Sequence, residues 1–142
     1  MISIDSLSWN NSDYEQQRAI DSIIIGNIED ARSYILPKGR KDCWENCDRV
    51  LTSMDEELFI SILPELFEWF QDLNWPGYEI IANRLFHLPK NIVQPAFDKA
   101  IHSAQSVGDY EWEDNLICLF VLNEFKYTLP TPLWTSLDYE KK

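Results

Sequence analysis

One continuous stretch limits what this chain can fold into: Met54 to Ala82, MDEELFISILPELFEWFQDLNWPGYEIIA. It holds seven acids (Asp55, Glu56, Glu57, Glu65, Glu68, Asp72 and Glu79) and no lysine or arginine. Leu58, Ile62, Leu66, Trp69 and Leu73 fall at helical spacing, one apolar stripe between the acids. The segment thus offers a greasy face to a core and a negative face to solvent or to a partner. Pro64 interrupts it. A proline inside a helix costs about 3 kcal/mol, so the pattern predicts a break near Leu63 and a new helix from Pro64 to about Asp72.

Helix starts and stops recur along the rest of the chain. Ser12-Asp13-Tyr14-Glu15 reads as a capping box for a helix to about Ile25, stopped at Gly26. Asn27 can cap a second helix that ends before Pro37, because the residue preceding a proline is pushed out of the α region. Asp42-Cys43-Trp44-Glu45 and Ser53-Met54-Asp55-Glu56 read as further boxes, the first for a helix through about Leu51. Asn74-Trp75-Pro76 makes a turn, with Pro76 opening a helix through about Leu88. A helix to about Ser106 follows, with Pro95 expected in its first turn. A last helix spans about Tyr110 to Phe125, and its all-apolar middle, LICLFVL, is expected to be buried. The segment 127–142 is expected to be irregular, with Leu133 and Trp134 docking back. The expectation is an all-α domain over residues 1–142, with about seven helices in a helical-hairpin stack or compact bundle.

Composition narrows the function. A net charge of −12 disfavours nucleic acid and anionic membrane surfaces, whose phosphates would be repelled. Acidic chains are commonly just soluble, and the sharper reading is complementarity to a basic protein. Three cysteines without framework spacing fit a reducing compartment, and the N-terminus lacks a basic, then apolar, leader. A cytoplasmic monomer is expected.

Two stretches resemble a known pattern. Asp42-Cys43-Trp44-Glu45-Asn46-Cys47 resembles a W-E-N-C-A element, and Leu63 to Gly77 resembles L-P-E-L-L-E-W-L-Q-D-x-N-W-P-G. Together, and with Trp9-Asn10 and Glu15-Gln16-Gln17, they resemble a family of small bacterial helical domains of unknown function, over about residues 7 to 125. The resemblance implies HEAT-like helical pairs and no catalytic residues to carry over. It also implies short cytosolic genes beside bacterial toxins, hence an immunity role. The chain departs from the pattern at Phe67 and Phe70, where leucine is usual, and at Asp48 and Tyr78, where alanine is usual.

Candidate chemistry is sparse. Cys43 and Cys47 share a helix face at ligand spacing, but no histidine lies near them in sequence, and His87 and His102 fall on different predicted helices. Structural metal sites want four ligands, so buried thiols acting as small hydrophobes are the default and no metal or cofactor is expected. Asp72 and Asn74 read as turn and cap residues, and Trp44, Trp69, Trp75 and Trp112 as core. Glu65, Glu68 and Asp72 share a face, but acid–base work needs one desolvated carboxyl in a cleft. No nucleophile elbow, zinc helix or phosphate loop is present in the sequence, and no enzyme is expected.

The expected function is therefore an immunity protein that neutralises a cognate, basic, nuclease-type toxin domain. The alternative is a helical-repeat scaffold binding a host protein or peptide. Candidate partner-binding residues are Asp55, Glu56, Glu57, Glu65, Glu68, Asp72 and Tyr78, with a second cluster at Asp109, Tyr110, Glu111, Glu113 and Asp114. Trp112 is a further candidate anchor. Sequence alone leaves open which cluster faces the partner.

Overall fold

The computed structural model describes residues 3–122. Among these there is no strand. Eight α-helices run in order: α1 (Asp13–Ser22), α2 (Ile28–Arg32), α3 (Lys41–Thr52), α4 (Glu56–Ser61), α5 (Leu63–Leu66), α6 (Tyr78–Phe86), α7 (Lys90–Ser106) and α8 (Tyr110–Leu116). Turns of 3₁₀ helix cover Ile4–Leu7 and Phe67–Gln71, and a π-helical turn, Ile117–Val121, extends α8. The fold is all-α, as the capping and proline pattern implies. No described helix is long and apolar enough to cross a membrane. The expected tail, 127–142, lies outside the described residues, as do Leu133 and Trp134.

Local chemistry explains several of these boundaries. Ser12 Oγ accepts the Glu15 N–H at 3.2 Å and Asn27 Oδ1 accepts the Asp30 N–H at 2.8 Å, so α1 and α2 start as expected. Asp109 Oδ1 accepts the Trp112 N–H at 3.0 Å and starts α8 in the same way. The other two boxes do not form. Asp42 lies inside the first turn of α3, its carboxylate taken by the Arg40 guanidinium. Ser53 donates its hydroxyl to Val50 O at 2.9 Å, closing α3 rather than opening α4. Nearby partners outcompete the local cap in both cases.

The break at Pro64 appears where expected. Helix α4 ends at Ser61, Ile62 leaves the helical region, and Pro64 sits in the first turn of α5. The new helix does not continue as α to Asp72; it tightens into 3₁₀ at Phe67. In that geometry residues three apart eclipse one another, which sets Phe67 edge-on to Phe70 with ring centroids 5.7 Å apart. Pro76 does not open α6. Gly77, at φ 94°, caps it, and Tyr78 is its first residue. Pro95 lies well inside α7, which starts directly after Pro89. It sits on an exposed face, where the Asn91 carbonyl deprived of its partner can take water.

Two aromatic groups fill the core. Phe120 lies 5.2 Å from Phe67, 5.3 Å from Phe86, 5.5 Å from Phe70 and 5.6 Å from Phe97, tying the π-helical turn to the 3₁₀ turn, α6 and α7. Trp44 on α3 stands edge-on to Trp75 at 5.2 Å and to Trp69 at 6.4 Å, tying α3 to the acidic segment. The LICLFVL run is not buried all round. Leu116, Ile117 and Phe120 face the core, while Cys118 and Leu122 are exposed.

Trp69 is fully buried, and its indole N–H donates to Pro76 O at 2.9 Å. Leu73, expected in the core on the same stripe, is only partly buried against it. Trp69→Ala should cost about 3–5 kcal/mol, read as a drop in denaturant midpoint at unchanged slope. An unchanged midpoint would place Trp69 at the surface.

Candidate functional site

The residues from Trp69 to Gly77 form a closed loop built from side chain and backbone. The Trp69 indole reaches Pro76 O across it. Inside it, Asp72 Oδ1 accepts the Asn74 N–H at 2.8 Å and Asp72 O accepts the Trp75 N–H at 3.0 Å. Asp72 therefore shapes a turn, and Gly77, not Asn74, caps the next helix. The W-E-N-C stretch is also structural. Asn46 donates to Leu7 O and to Gln16 Oε1, both at 2.8 Å, and Gln16 in turn donates to Asn11 O, fastening the N-terminal arm to α3. Cys43 and Cys47 are buried, and burial raises both thiols, Cys43 to about 11, so neither is a thiolate at neutral pH. Among the described residues no group of three or more His, Cys, Asp or Glu is placed to hold a metal ion.

The two acidic clusters lie on elements packed side by side. Trp112 Nε1–H donates to Phe67 O at 3.1 Å, and Asn115 Nδ2–H donates to Phe70 O at 2.9 Å. These bonds join α8 to the 3₁₀ turn and bring the side of the fold bearing Glu68 beside the helix bearing Glu111 and Asp114. All three acids are exposed. Burial of its surroundings, and then the charge of Glu65, raises the Glu68 carboxyl. Tyr110, 70% exposed, stands on the same helix α8.

The other candidates divide. Asp55, Glu56 and Glu57 are exposed at the start of α4. Glu56 pairs with Arg84 at 3.6 Å, and Glu65 pairs with Arg32 at 3.1 Å, so tertiary contacts bring cations to a segment that has none of its own. Tyr78 is half-buried. Asp109 is the α8 cap. Glu113 does not belong to the exposed cluster: it is buried and accepts a hydrogen bond from Gln105 Nε2. The helical period turns it inward together with Trp112, whose burial likewise removes it as an exposed anchor.

Sequence reading marked Asp48 only as a departure from alanine. In the structure it stands apart among the described residues. It is fully buried on α3, and neither carboxyl oxygen has a hydrogen-bond partner. Desolvation, then the charge of Glu45, pushes its carboxyl up to about 10, with Arg49 opposing. The carboxyl packs on Gly77: a methyl group there would meet Asp48 Oδ2 at 1.6 Å and Glu45 Cα at 3.3 Å. The space that any other side chain at 77 would need is filled by Asp48. A cleft of about 490 Å³ lies alongside, with Glu45, Arg49, Trp75, Gly77, Tyr78 and Glu79 on its walls. A larger hollow of about 800 Å³, lined by Ile4, Ile23, Ile24 and Tyr34 among others, has no comparable gathering of charge.

Residues 35–133 match the model of DUF5071, a domain of unknown function. The chain belongs to this family. The matched DUF5071 span takes in both motif stretches and helices α3 to α8, and begins after α1 and α2, a shorter span than the sequence resemblance covers. No curated protein and no solved structure gives a significant match.

The folded chain keeps Asp48 protonated up to about pH 10, whereas its ordinary value is 3.8. Its stabilising balance is therefore full below the ordinary value and lost as pH rises toward 10, by at most about 1.4 kcal/mol per pH unit. Asp48→Asn should flatten that slope and raise the denaturant midpoint at neutral pH, measured between about pH 5 and about pH 8. Gly77→Ala should destabilise by more than the roughly 1–2 kcal/mol of left-handed strain alone. Adding Asp48→Ala should recover the excess but not the strain, which a double-mutant cycle reads directly.

Proposed function

We propose that this chain is a cytosolic immunity protein that binds and neutralises a cognate bacterial toxin domain through an acidic surface. The observation that carries the reading is the packing of α8 against the 3₁₀ turn, which sets Glu68 on an element adjoining Glu111 and Asp114. A strongly exposed tyrosine, Tyr110, stands on that same helix. Negative charge of this density steers a basic partner, raising the association rate toward 10⁸–10⁹ M⁻¹s⁻¹ at low salt, on the order known for such pairs. An exposed tyrosine supplies the apolar contact that charge alone does not, since aromatic residues dominate binding energy once buried. The net charge of −12 fits a basic, nuclease-type partner.

At the start of α4, Glu56 is engaged by Arg84. Exposed ion pairs contribute little to stability, yet they reduce the field a partner meets. Glu68, Glu111 and Asp114 are the residues proposed to steer, and Tyr110 to anchor.

Co-expression with the toxin domain encoded beside the gene, scored by cell survival and co-purification, tests the reading. Reversing Glu68, Glu111 and Asp114 to lysine should slow association by about ten- to a hundredfold at low salt and flatten its salt dependence. Reversing Asp55, Glu56 and Glu57 should do much less. Tyr110→Ala should act on dissociation, by roughly tenfold or more. Survival unchanged after neutralising both clusters rejects the electrostatic mechanism. A chain that binds no neighbouring gene product would be a scaffold for a host protein or peptide instead.

A further inference from the structure

We propose that the cleft between α3 and the start of α6 is a receptor for a guanidinium group, an arginine side chain of the partner, with Asp48 as the carboxylate that pairs with it. The inference rests on the partner-binding reading above and names a chemical contact within it. A buried carboxyl with both oxygens unpartnered is costly and calls for a state in which it is satisfied. Asp48 lies directly behind two positions that wall the cleft. Its Oδ2 occupies the place of a side chain on Gly77, and Glu45, which also approaches that place, walls the cleft with Gly77. Gly77 contributes no side chain between that carboxyl and the cleft, so a change of the Asp48 rotamer can present it there.

The walls fit a guanidinium better than an ammonium. Glu45 and Glu79 supply negative charge, while Trp75 and Tyr78, both half-buried, supply aromatic surface. Arginine is planar, weakly hydrated, stacks on such rings and meets a carboxylate with two parallel hydrogen bonds; lysine does neither. The chain's own cation in the cleft, Arg49, is held on its own helix, 3.2 Å from Glu45 Oε2 and donating to Asn46 Oδ1 at 2.9 Å. Glu45 and Arg49 on α3 and Tyr78 and Glu79 on α6 are the charged or titratable groups lining the cleft, and the Cys47 thiol, next in sequence, is uncharged. Because Asp48 is protonated in the free chain, the arriving guanidinium displaces one proton from its carboxyl to water, and the pair formed is carboxylate with guanidinium.

The test uses the full chain and methylguanidinium chloride, against methylammonium chloride and sodium chloride at equal ionic strength. Carbon-detected NMR follows the Asp48 carboxyl and proton NMR the Trp75 indole. Methylguanidinium should move the Asp48 carboxyl toward its ionised position near neutral pH, lower its titration midpoint by about one pH unit or more, and shift the Trp75 signal. The other two salts should not. Asp48→Asn, which keeps the fold, should weaken the Trp75 response by about tenfold or more. An Asp48 carboxyl unmoved by methylguanidinium, moved equally by sodium chloride, or already ionised in the free chain against Arg49 overturns the inference. So does a Trp75 response that Asp48→Asn leaves intact. Methylguanidinium binding by a chain that recognises no toxin retains this cleft and removes the inhibitor reading. Toxin neutralisation undiminished by Asp48→Asn, with no guanidinium effect, does the reverse.

Discussion

The hydrogen bond from the Trp69 indole to Pro76 O organises much of what surrounds it. Trp69 is fully buried and its one polar atom must be satisfied there, since an unpaired buried donor costs about 1–3 kcal/mol. Meeting that demand folds the chain back on itself within eight residues and sets the direction in which α6 leaves. Trp75, held in the same loop, then meets Trp44, which anchors α3; α3 in turn holds the N-terminal arm through Asn46. The stretches Asp42 to Cys47 and Leu63 to Gly77 are thus one contact surface. Their tryptophans and carbonyls give these residue types a structural reason.

Against that frame, Asp48 and Gly77 form a pair that opposes stability. The fold must accommodate a neutral carboxyl with no partner, packed on a glycine in a conformation that other residues rarely adopt. Alanine at position 48 would remove the burial cost while leaving α3 able to pack. A buried polar group without a partner is rare enough in folded chains to call for a functional explanation, and the adjoining acidic and aromatic cleft supplies one.

The distribution of charge carries the rest of the functional reading. Along the sequence, the acids of the 54–82 stretch are unbroken by cations, yet the fold brings Arg32 and Arg84 to two of them. Near Glu68, by contrast, it adds the acids of α8. The acidic run is thereby partly neutralised at Glu56 and at Glu65 rather than uniform along its length.

Much of the fold was legible in the sequence because its signals are local. Ser12 and Asn27 cap their own helices, Pro64 breaks its own segment, and Ile62, Leu66 and Trp69 follow their spacing inward. Such features depend on neighbours within about four residues, which the sequence displays. What only the tertiary structure decided involves partners far along the chain. Asp5 reaches Arg40, thirty-five positions on, and α8 covers Phe67 and Phe70, so the segment after Pro64 tightens instead of continuing as α. Glu113 reads as a surface acid because it stands in the run Asp109 to Asp114, but its inward turn depends on α7, where Gln105 donates to it. Asp48 shows the same limit. In sequence it is one acid among 24, and its isolation follows from Gly77, twenty-nine positions away, which closes over it when α6 packs on α3. Composition and spacing determine which residues seek burial; the long-range packing alone decides which polar group is carried in with them.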